Sequence, residues 1–474
     1  MQLDRGYVDG AWVAVAAAGW QPIVNPATGE TVGQVALAGP ADGARAVEAA
    51  RRAFPGWSAT TPAQCQQALD RVIAAYVAHQ DDLARAMTTE MGAPATLSAG
   101  AQVGAGLGHL RDFRDAIDRV TWEEPLALGD GTDRILHDPM GVAVLITPWN
   151  WPMNQITLKV GAALAAGCTM VLKPSELAPL SAQVFAQIMD EADLPPGVFN
   201  MLFGTGPDLG EALVRHPDVA VVSLTGSTRA GAAVAAAAAQ GIKRVSLELG
   251  GKGACILFED APAHAARDTA QAMFRNSGQS CNAPSRLLVH RSIYDAAVQA
   301  AVDVAQGLRM GDPADPATQM GPLANRPQFD RVCEFLTKGK AEARLVAGGT
   351  TSDRGFFVAP TVFADVTPEM IIAREEIFGP VLSIIPFDTE DQAIAIANDS
   401  PYGLAAYLWT ADMDRARRVA RRLRSGMVRL NGTDIPFGAP FGGMGQSGIG
   451  REGGVWGIEE FLEVKVVSGW QGAA

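Results

Sequence analysis

Positive charge is in short supply in this chain: 38 Lys and Arg stand against 51 Asp and Glu over 474 residues, a net charge of −13. That balance argues against a nucleic-acid partner, which wants a basic face. Cysteine is scarce as well. Cys65, Cys168, Cys255, Cys281 and Cys333 are odd in number, widely spaced and without a C-x-x-C pair. The pattern is neither a disulfide framework nor a zinc site, so no metal is expected, and it fits a reducing, cytoplasmic compartment. Long apolar runs are missing, so no membrane span is expected. The one apolar stretch near the start, Ala11 to Trp20, follows acidic Asp4 and Asp9 with only Arg5 basic. A secretion signal wants the opposite charge there, and the stretch reads as an early strand pair. None of the strand-like runs between residues 141 and 249 is followed by the G-x-G-x-x-G fingerprint of dinucleotide-binding folds.

What is present is enough chain to bury a large core. Hydrophobic residues make up 48% and charged residues 19%, which excludes disorder as the main state. The length corresponds to roughly three domains' worth of chain. Between residues 141 and 249, apolar strand-like runs alternate with helical patterns. The strands are GVAVLIT (Gly141 to Thr147), TMVLK (Thr169 to Lys173), VFNMLF (Val198 to Phe203), VAVVSLT (Val219 to Thr225) and RVSLEL (Arg244 to Leu249). Gly167 reads as the glycine that ends the first intervening helix. Ser181 reads as the cap of the next, whose Val184, Phe185, Ile188 and Met189 share a face. Helices follow over Asp208 to His216 and Ala230 to Ala239. The alternation predicts an α/β fold with a parallel sheet covered on both faces. Ligands bind at the carboxyl ends of such strands, so the residues following each strand carry the interest. They are TPWNWP, KPSE, FGTG ending at Gly206, TGSTRAG and LELGGKG. Glycines and hydroxyls before a helix start suit a phosphate-bearing ligand, although a single glycine spacing of this kind is more often a plain turn.

NSGQSCNAPS, Asn276 to Ser285, sets a cysteine among small polar residues where a helix runs into a loop. A thiol there is a candidate nucleophile. On its neighbours alone Cys281 reads as readily as a buried inert thiol, Glu248 as a surface glutamate and Asn150 as a turn residue before Pro152. Trp149 and Trp151 read equally as core aromatics.

Taken together and in order, TPWNWP, KPSE, LTGSTRAG, LELGGKG, GQSCNAPSR, EEIFGPV (Glu375 to Val381) and PFGGMGQSGIGRE resemble the aldehyde dehydrogenase superfamily, of the hydrolytic, non-acylating type. Weaker similarity runs from NPATGE to FLEVK. The resemblance implies two Rossmann-like parallel α/β domains and a small β projection for oligomerisation. Residues 1–119 and 140–249 would bind the cofactor, 250–454 would carry catalysis, and 120–139 with 455–474 would join subunits into a homodimer or homotetramer. It implies Cys281 as the nucleophile that forms a thiohemiacetal and then a thioester. Glu248 becomes the general base for hydrolysis, and Asn150 an oxyanion donor beside the Cys281 N–H. The cofactor would be NAD, with NADP possible. Thr147 and Trp149 would lie against it, and Lys173 and Glu176 would hold the adenosine ribose. Gly206, Gly226 and Ser227 would lie along the adenine and pyrophosphate. Glu376 would bind the nicotinamide ribose, with Phe378 flanking it. A carboxylate at Glu176 opposes a 2′-phosphate. The substrate would be a small aldehyde; GQSCNAPSR with TPWNWPMNQI is most similar to bacterial relatives acting on semialdehydes or oxo-acid-type aldehydes. Three other readings stand beside this one: a CoA-acylating relative, a cysteine acyltransferase without redox chemistry, and a non-catalytic binding protein on the same fold.

Overall fold

The structure is a computed structural model and describes residues 1–127 and 133–470. Residues 128–132 of the expected projection and 471–474 of the tail lie outside the described residues. An eight-stranded sheet has the order Gly448–Ile449, Arg244–Glu248, Val219–Thr225, Val142–Ile146, Thr169–Lys173, Phe199–Met201, Arg5–Val8, Ala11–Ala14. Its five middle strands run parallel, and those beyond them pair antiparallel. The middle strands read as apolar runs because helices cover both faces; every residue of Val142–Ile146 and Thr169–Lys173 is buried. The chain leaves Val142–Ile146 towards one edge and resumes with Val219–Thr225 on its other side. That reversal opens a crevice at the carboxyl ends of these two neighbours.

A second, seven-stranded sheet has the order Arg344–Ala347, Thr361–Ala364, Val381–Phe387, Arg286–His290, Ala254–Leu257, Ala405–Trp409, Met427–Leu430. Only Arg344–Ala347 is antiparallel to its neighbour. A three-stranded antiparallel sheet joins Glu123–Pro125, Arg134–Pro139 and Leu462–Val467. Among the described residues no helix is long and apolar enough to cross a membrane.

Local chemistry explains most boundaries. Helix Pro152–Ala166 opens on a proline in its first turn and closes on Gly167 at φ 81°, the expected left-handed glycine. Ser227 caps helix Thr228–Ala239 by accepting the Ala230 N–H at 3.2 Å. Two expectations are corrected. Helix Pro179–Glu191 begins before Ser181, which sits buried inside its first turn. The free amides there are met by a distant carboxylate: Glu90 accepts from the Leu180 N–H, the Ser181 N–H at 3.0 Å and the Ser181 hydroxyl at 2.5 Å. Burial pushes the Glu90 carboxyl up to about 7, with those donors opposing. The stretch from Ala11 to Trp20 does not pair with itself either. Ala11–Ala14 forms a hairpin with Arg5–Val8, while Gly19–Val24 joins a separate small sheet with Thr31–Leu37.

Candidate active site

Cys281 follows an unusual turn. After helix Ala265–Phe274, Asn276, Ser277 and Gly278 take φ of 53°, 56° and 72°, three consecutive left-handed residues. Such strain persists only where the surroundings fix it. Here the Asn276 Nδ2 donates to the Asn150 carbonyl at 2.9 Å and the Gln279 carbonyl at 3.2 Å. The Ser277 hydroxyl donates to the Gly321 carbonyl at 2.8 Å, and Gln279 Oε1 accepts the Ala324 N–H at 2.9 Å. A Cβ on Gly278 would lie 2.2 Å from the Gly379 carbonyl oxygen, so only glycine fits. The turn delivers Cys281 ahead of strand Arg286–His290, half-buried, at the meeting point of two cavities. Burial pushes its thiol well above the ordinary range, and the Glu248 and Glu376 carboxylates add to the effect.

One cavity, of about 490 Å³, is walled by Trp149, Asn150, Gly226, Ser227, Glu376 and Phe378. Trp149 meets Phe378 edge-on at 5.7 Å. Glu376 Oε1 accepts the Gly251 N–H at 2.9 Å, and burial pushes its carboxyl up to about 7. The glycines of LELGG admit neighbouring protein groups: a Cβ on Gly250 would lie 2.3 Å from Glu376 Oε2, and one on Gly251 would lie 2.6 Å from the Cys281 carbonyl oxygen. Asn150 is buried, and one Nδ2 hydrogen is held by the Gln279 carbonyl at 3.0 Å. The second Nδ2 hydrogen remains available to an oxygen beside Cys281.

The other cavity, of about 390 Å³, carries Trp151, Asn154, Gln155, Arg275, Tyr407 and Phe441 on its wall. Trp151 is fixed by donating from Nε1 to the Ser280 hydroxyl at 2.8 Å.

Glu248 ends strand Arg244–Glu248 and is 2% exposed, yet it lines neither cavity. Its carboxylate turns beneath Gly442, where a Cβ would lie 2.6 Å from Oε1, and neither oxygen accepts a hydrogen bond from the described residues. Burial raises its pKa well above the carboxylate range. Glu452 adds to the rise, and Lys159 and Arg451 oppose it. Sequence reasoning missed Lys159 and Glu452. Lys159 Nζ, fully buried, donates to Glu452 Oε1 at 2.5 Å and to the Ser223 hydroxyl at 2.9 Å. The signal was a lone lysine in the apolar stretch QITLKVGAALAA.

Thr147, Lys173, Glu176 and Gly206 stand apart from both cavities, at the ends of neighbouring strands. Lys173 Nζ donates to the Gly204 carbonyl at 2.8 Å and to Glu176 Oε2 at 3.3 Å. Burial lowers the lysine's pKa, with Glu176 opposing. The Thr147 and Thr225 hydroxyls are buried without a partner among the described residues. Gly206 opens a short helical turn, with nothing within 4 Å of where its Cβ would be. Among the described residues no cluster of His, Cys, Asp or Glu could hold a metal.

The profile of the aldehyde dehydrogenase family matches residues 12–467. A 3-succinoylsemialdehyde-pyridine dehydrogenase of a Pseudomonas species is 48% identical, with 98% of each chain covered. A cysteine-to-alanine variant of aldehyde dehydrogenase C from Pseudomonas syringae, solved with NAD+ and octanal, is 46% identical. It superposes at a TM-score of 0.96 over 99% of this chain and 98% of its own. The NAD+ complex of an aldehyde dehydrogenase from Bacillus cereus is 37% identical, at a TM-score of 0.95 over 98% of this chain and 96% of its own.

Proposed function

This chain belongs to the aldehyde dehydrogenase family, and from that premise we propose that it oxidises an aldehyde to the carboxylic acid with NAD, Cys281 being the nucleophile. The observation that carries the reading is the position of Cys281, where a cofactor-sized cavity and a second cavity meet. The first cavity suits a dinucleotide. Its walls combine an aromatic pair, a capped helix start at Ser227 and the Glu376 carboxylate, and a buried, unpartnered Thr225 hydroxyl faces it. Lys173 and Glu176 would hold the adenosine ribose, with Thr147 and Gly206 beside them, and Glu376 the nicotinamide ribose. The Glu176 carboxylate favours NAD over NADP. NAD, when bound, takes up the hydride.

The remaining chemistry falls to the chain. Cys281 gives up its thiol proton to water, its Sγ forms a bond to the aldehyde carbon, and the carbonyl oxygen becomes an oxyanion. The free Asn150 Nδ2 hydrogen and the Cys281 N–H donate to it. When the C–H bond breaks, the oxyanion collapses to a thioester. Glu248 then swings from beneath Gly442, takes a proton from water, and the resulting hydroxide attacks the thioester carbon. The C–S bond breaks, the acid leaves, and Glu248 passes its proton on to the leaving thiolate, which restores the thiol. A raised carboxylate pKa suits this proton transfer near neutral pH.

We read the chain as three parts: 1–119 with 140–249 for the cofactor, 250–454 for catalysis, and 120–139 with 455–474 as the joining projection. Strand Gly448–Ile449 crosses back to pair with Arg244–Glu248, which ties the catalytic part to the base. The edge strand Leu462–Val467 leaves Val464 and Val466 exposed at 67% and 61%, an apolar edge that supports pairing into a homodimer or homotetramer. Sedimentation reads that state. Five free cysteines favour a reducing, cytoplasmic setting.

The deciding experiment is NADH absorbance with NAD and a simple aldehyde. NADH without added thiol supports the proposal. A requirement for coenzyme A would replace hydrolysis with acyl transfer, and no NADH at all would leave a binding protein.

A further inference from the structure

The wall of the aldehyde cavity carries hydrogen-bond donors that have nothing to donate to. Asn154 and Gln155 lie side by side on helix Pro152–Ala166, and both face the space in front of Cys281. The Asn154 carbonyl is already engaged: Oδ1 accepts from His109 Nε2 at 2.9 Å. His109 comes from helix Val103–Ala116 and is wedged edge-on against the Phe437 ring at 4.9 Å. Its other nitrogen, Nδ1, is buried without a partner, as fits a neutral ring whose proton sits on Nε2. Burial pushes its pKa down to about 4, so the ring is neutral at neutral pH. With Oδ1 turned to His109, Asn154 presents its Nδ2 hydrogens to the cavity.

Two further observations point the same way. Gln155 is 4% exposed and its side chain makes no hydrogen bond within the described residues, with Oε1 fully buried. The Arg275 guanidinium lies 5.9 Å over the Trp151 ring on the same wall and, among the described residues, has no ion-pair partner. The acids on that wall are taken: Asp268 by Arg267 at 3.3 Å, and Asp434 by Arg429. The cavity therefore shows unpaired donors at Asn154 and Arg275, beside a Gln155 amide whose two ends are both unpaired within the described residues. An alkyl tail would leave those donors dry and unpaired, which is unfavourable.

Resting on the reading of this chain as an aldehyde dehydrogenase, the geometry points to substrates that carry a second oxygen acceptor along the tail, with Asn154 as the residue that selects them and His109 as its positioning residue. A neutral ketone and a carboxylate share this chemistry. A neutral oxygen suits the amide, and a carboxylate suits Arg275.

The test compares kcat/KM with NAD for three five-carbon aldehydes: pentanal, levulinaldehyde with its ketone, and glutarate semialdehyde with its carboxylate. An oxygenated aldehyde should be preferred over pentanal by about tenfold or more, the discrimination expected of one unmet buried hydrogen bond. A preference for levulinaldehyde identifies the ketone as the group read, and it should collapse towards unity in Asn154→Leu. Asn154→Asp keeps the size and offers an acceptor, so it should lose the preference too and guards against a misfolded leucine variant. His109→Leu should lower the levulinaldehyde-to-pentanal ratio and His109→Gln should restore it, because a glutamine amide can donate to Asn154 Oδ1. A preference for glutarate semialdehyde that Arg275→Gln abolishes identifies the carboxylate. Equal kcat/KM for all three, or a ratio that neither Asn154 variant nor Arg275→Gln moves, overturns the inference while leaving aldehyde oxidation standing. If none of the three yields NADH, the proposed function itself fails.

Discussion

Glu248→Gln removes a negative charge from a position that is 2% exposed and offers its carboxylate no hydrogen bond. Kinetically, the first half-reaction should survive, because thioester formation does not need an activated water. We expect a burst of NADH equal to the concentration of active sites, then a steady state slower by about 10²- to 10⁴-fold, the usual worth of a general base. The same substitution has a thermodynamic signature of opposite sign. The folded pKa of Glu248 lies above its unfolded value, so folding is favoured by its bound proton. That contribution is complete below about pH 4.3 and is lost as pH rises through the folded pKa. The amide does not titrate. The variant should therefore gain stability on the wild type as pH rises, by about 1.4 kcal/mol for each pH unit between the two pKa values, and then level off. For a chain this long, each kcal/mol moves a melting midpoint by roughly one to three degrees. Stopped-flow absorbance reads the burst, and paired thermal melts at about pH 5 and about pH 8 read the linkage. Melting curves that shift in parallel with pH would show that Glu248 ionises normally and that its burial has been misjudged. Loss of the burst together with turnover would place Glu248 in activation of Cys281 instead.

Cys281→Ser should abolish dehydrogenase activity while NAD still binds, since a hydroxyl is a far weaker nucleophile than a thiol near neutral pH. NADH production above a few per cent of wild type would remove the cysteine from its role. Glu176→Gln should relieve repulsion of the 2′-phosphate and move the NAD-to-NADP ratio of kcat/KM by about tenfold, less at high salt; an unchanged ratio places Glu176 away from the ribose. Lys159→Met should destabilise the fold by about 3–5 kcal/mol, because Glu452 is left as an uncompensated buried charge. It also removes a cation that lowers the Glu248 pKa, so the acid limb of the kcat profile should move to higher pH. An unshifted limb would uncouple Lys159 from the base.

Much of the eight-stranded sheet was legible in the chain because its parallel strands, buried on both sides, are unbroken apolar runs. VAVLI and TMVLK could be little else. The residues after those strands were legible for the same reason, since the strand ends fix where a ligand can lie. Contacts between remote segments were hidden. Lys159 meets Glu452 across 293 positions, and Glu90 meets Ser181 across 91. No local pattern announces either pairing, and Ser181 looked like a cap because its real partner was far away. The inward turn of Glu248 was hidden as well, since it depends on Gly442 leaving room beneath a loop from the far end of the chain.

Because Cys281 closes the end of both cavities, traffic through the molecule is two-sided. On the proposed function, the nucleotide would reach the sulfur from the Trp149 and Phe378 side and the organic substrate from the Trp151 and Tyr407 side. On that reading a reduced nucleotide would be free to depart while the acyl group is still attached, and the space it vacates would give water a path to the thioester. Blocking one opening therefore does not compete sterically with the molecule using the other. The half-buried thiol is the one surface that both streams share.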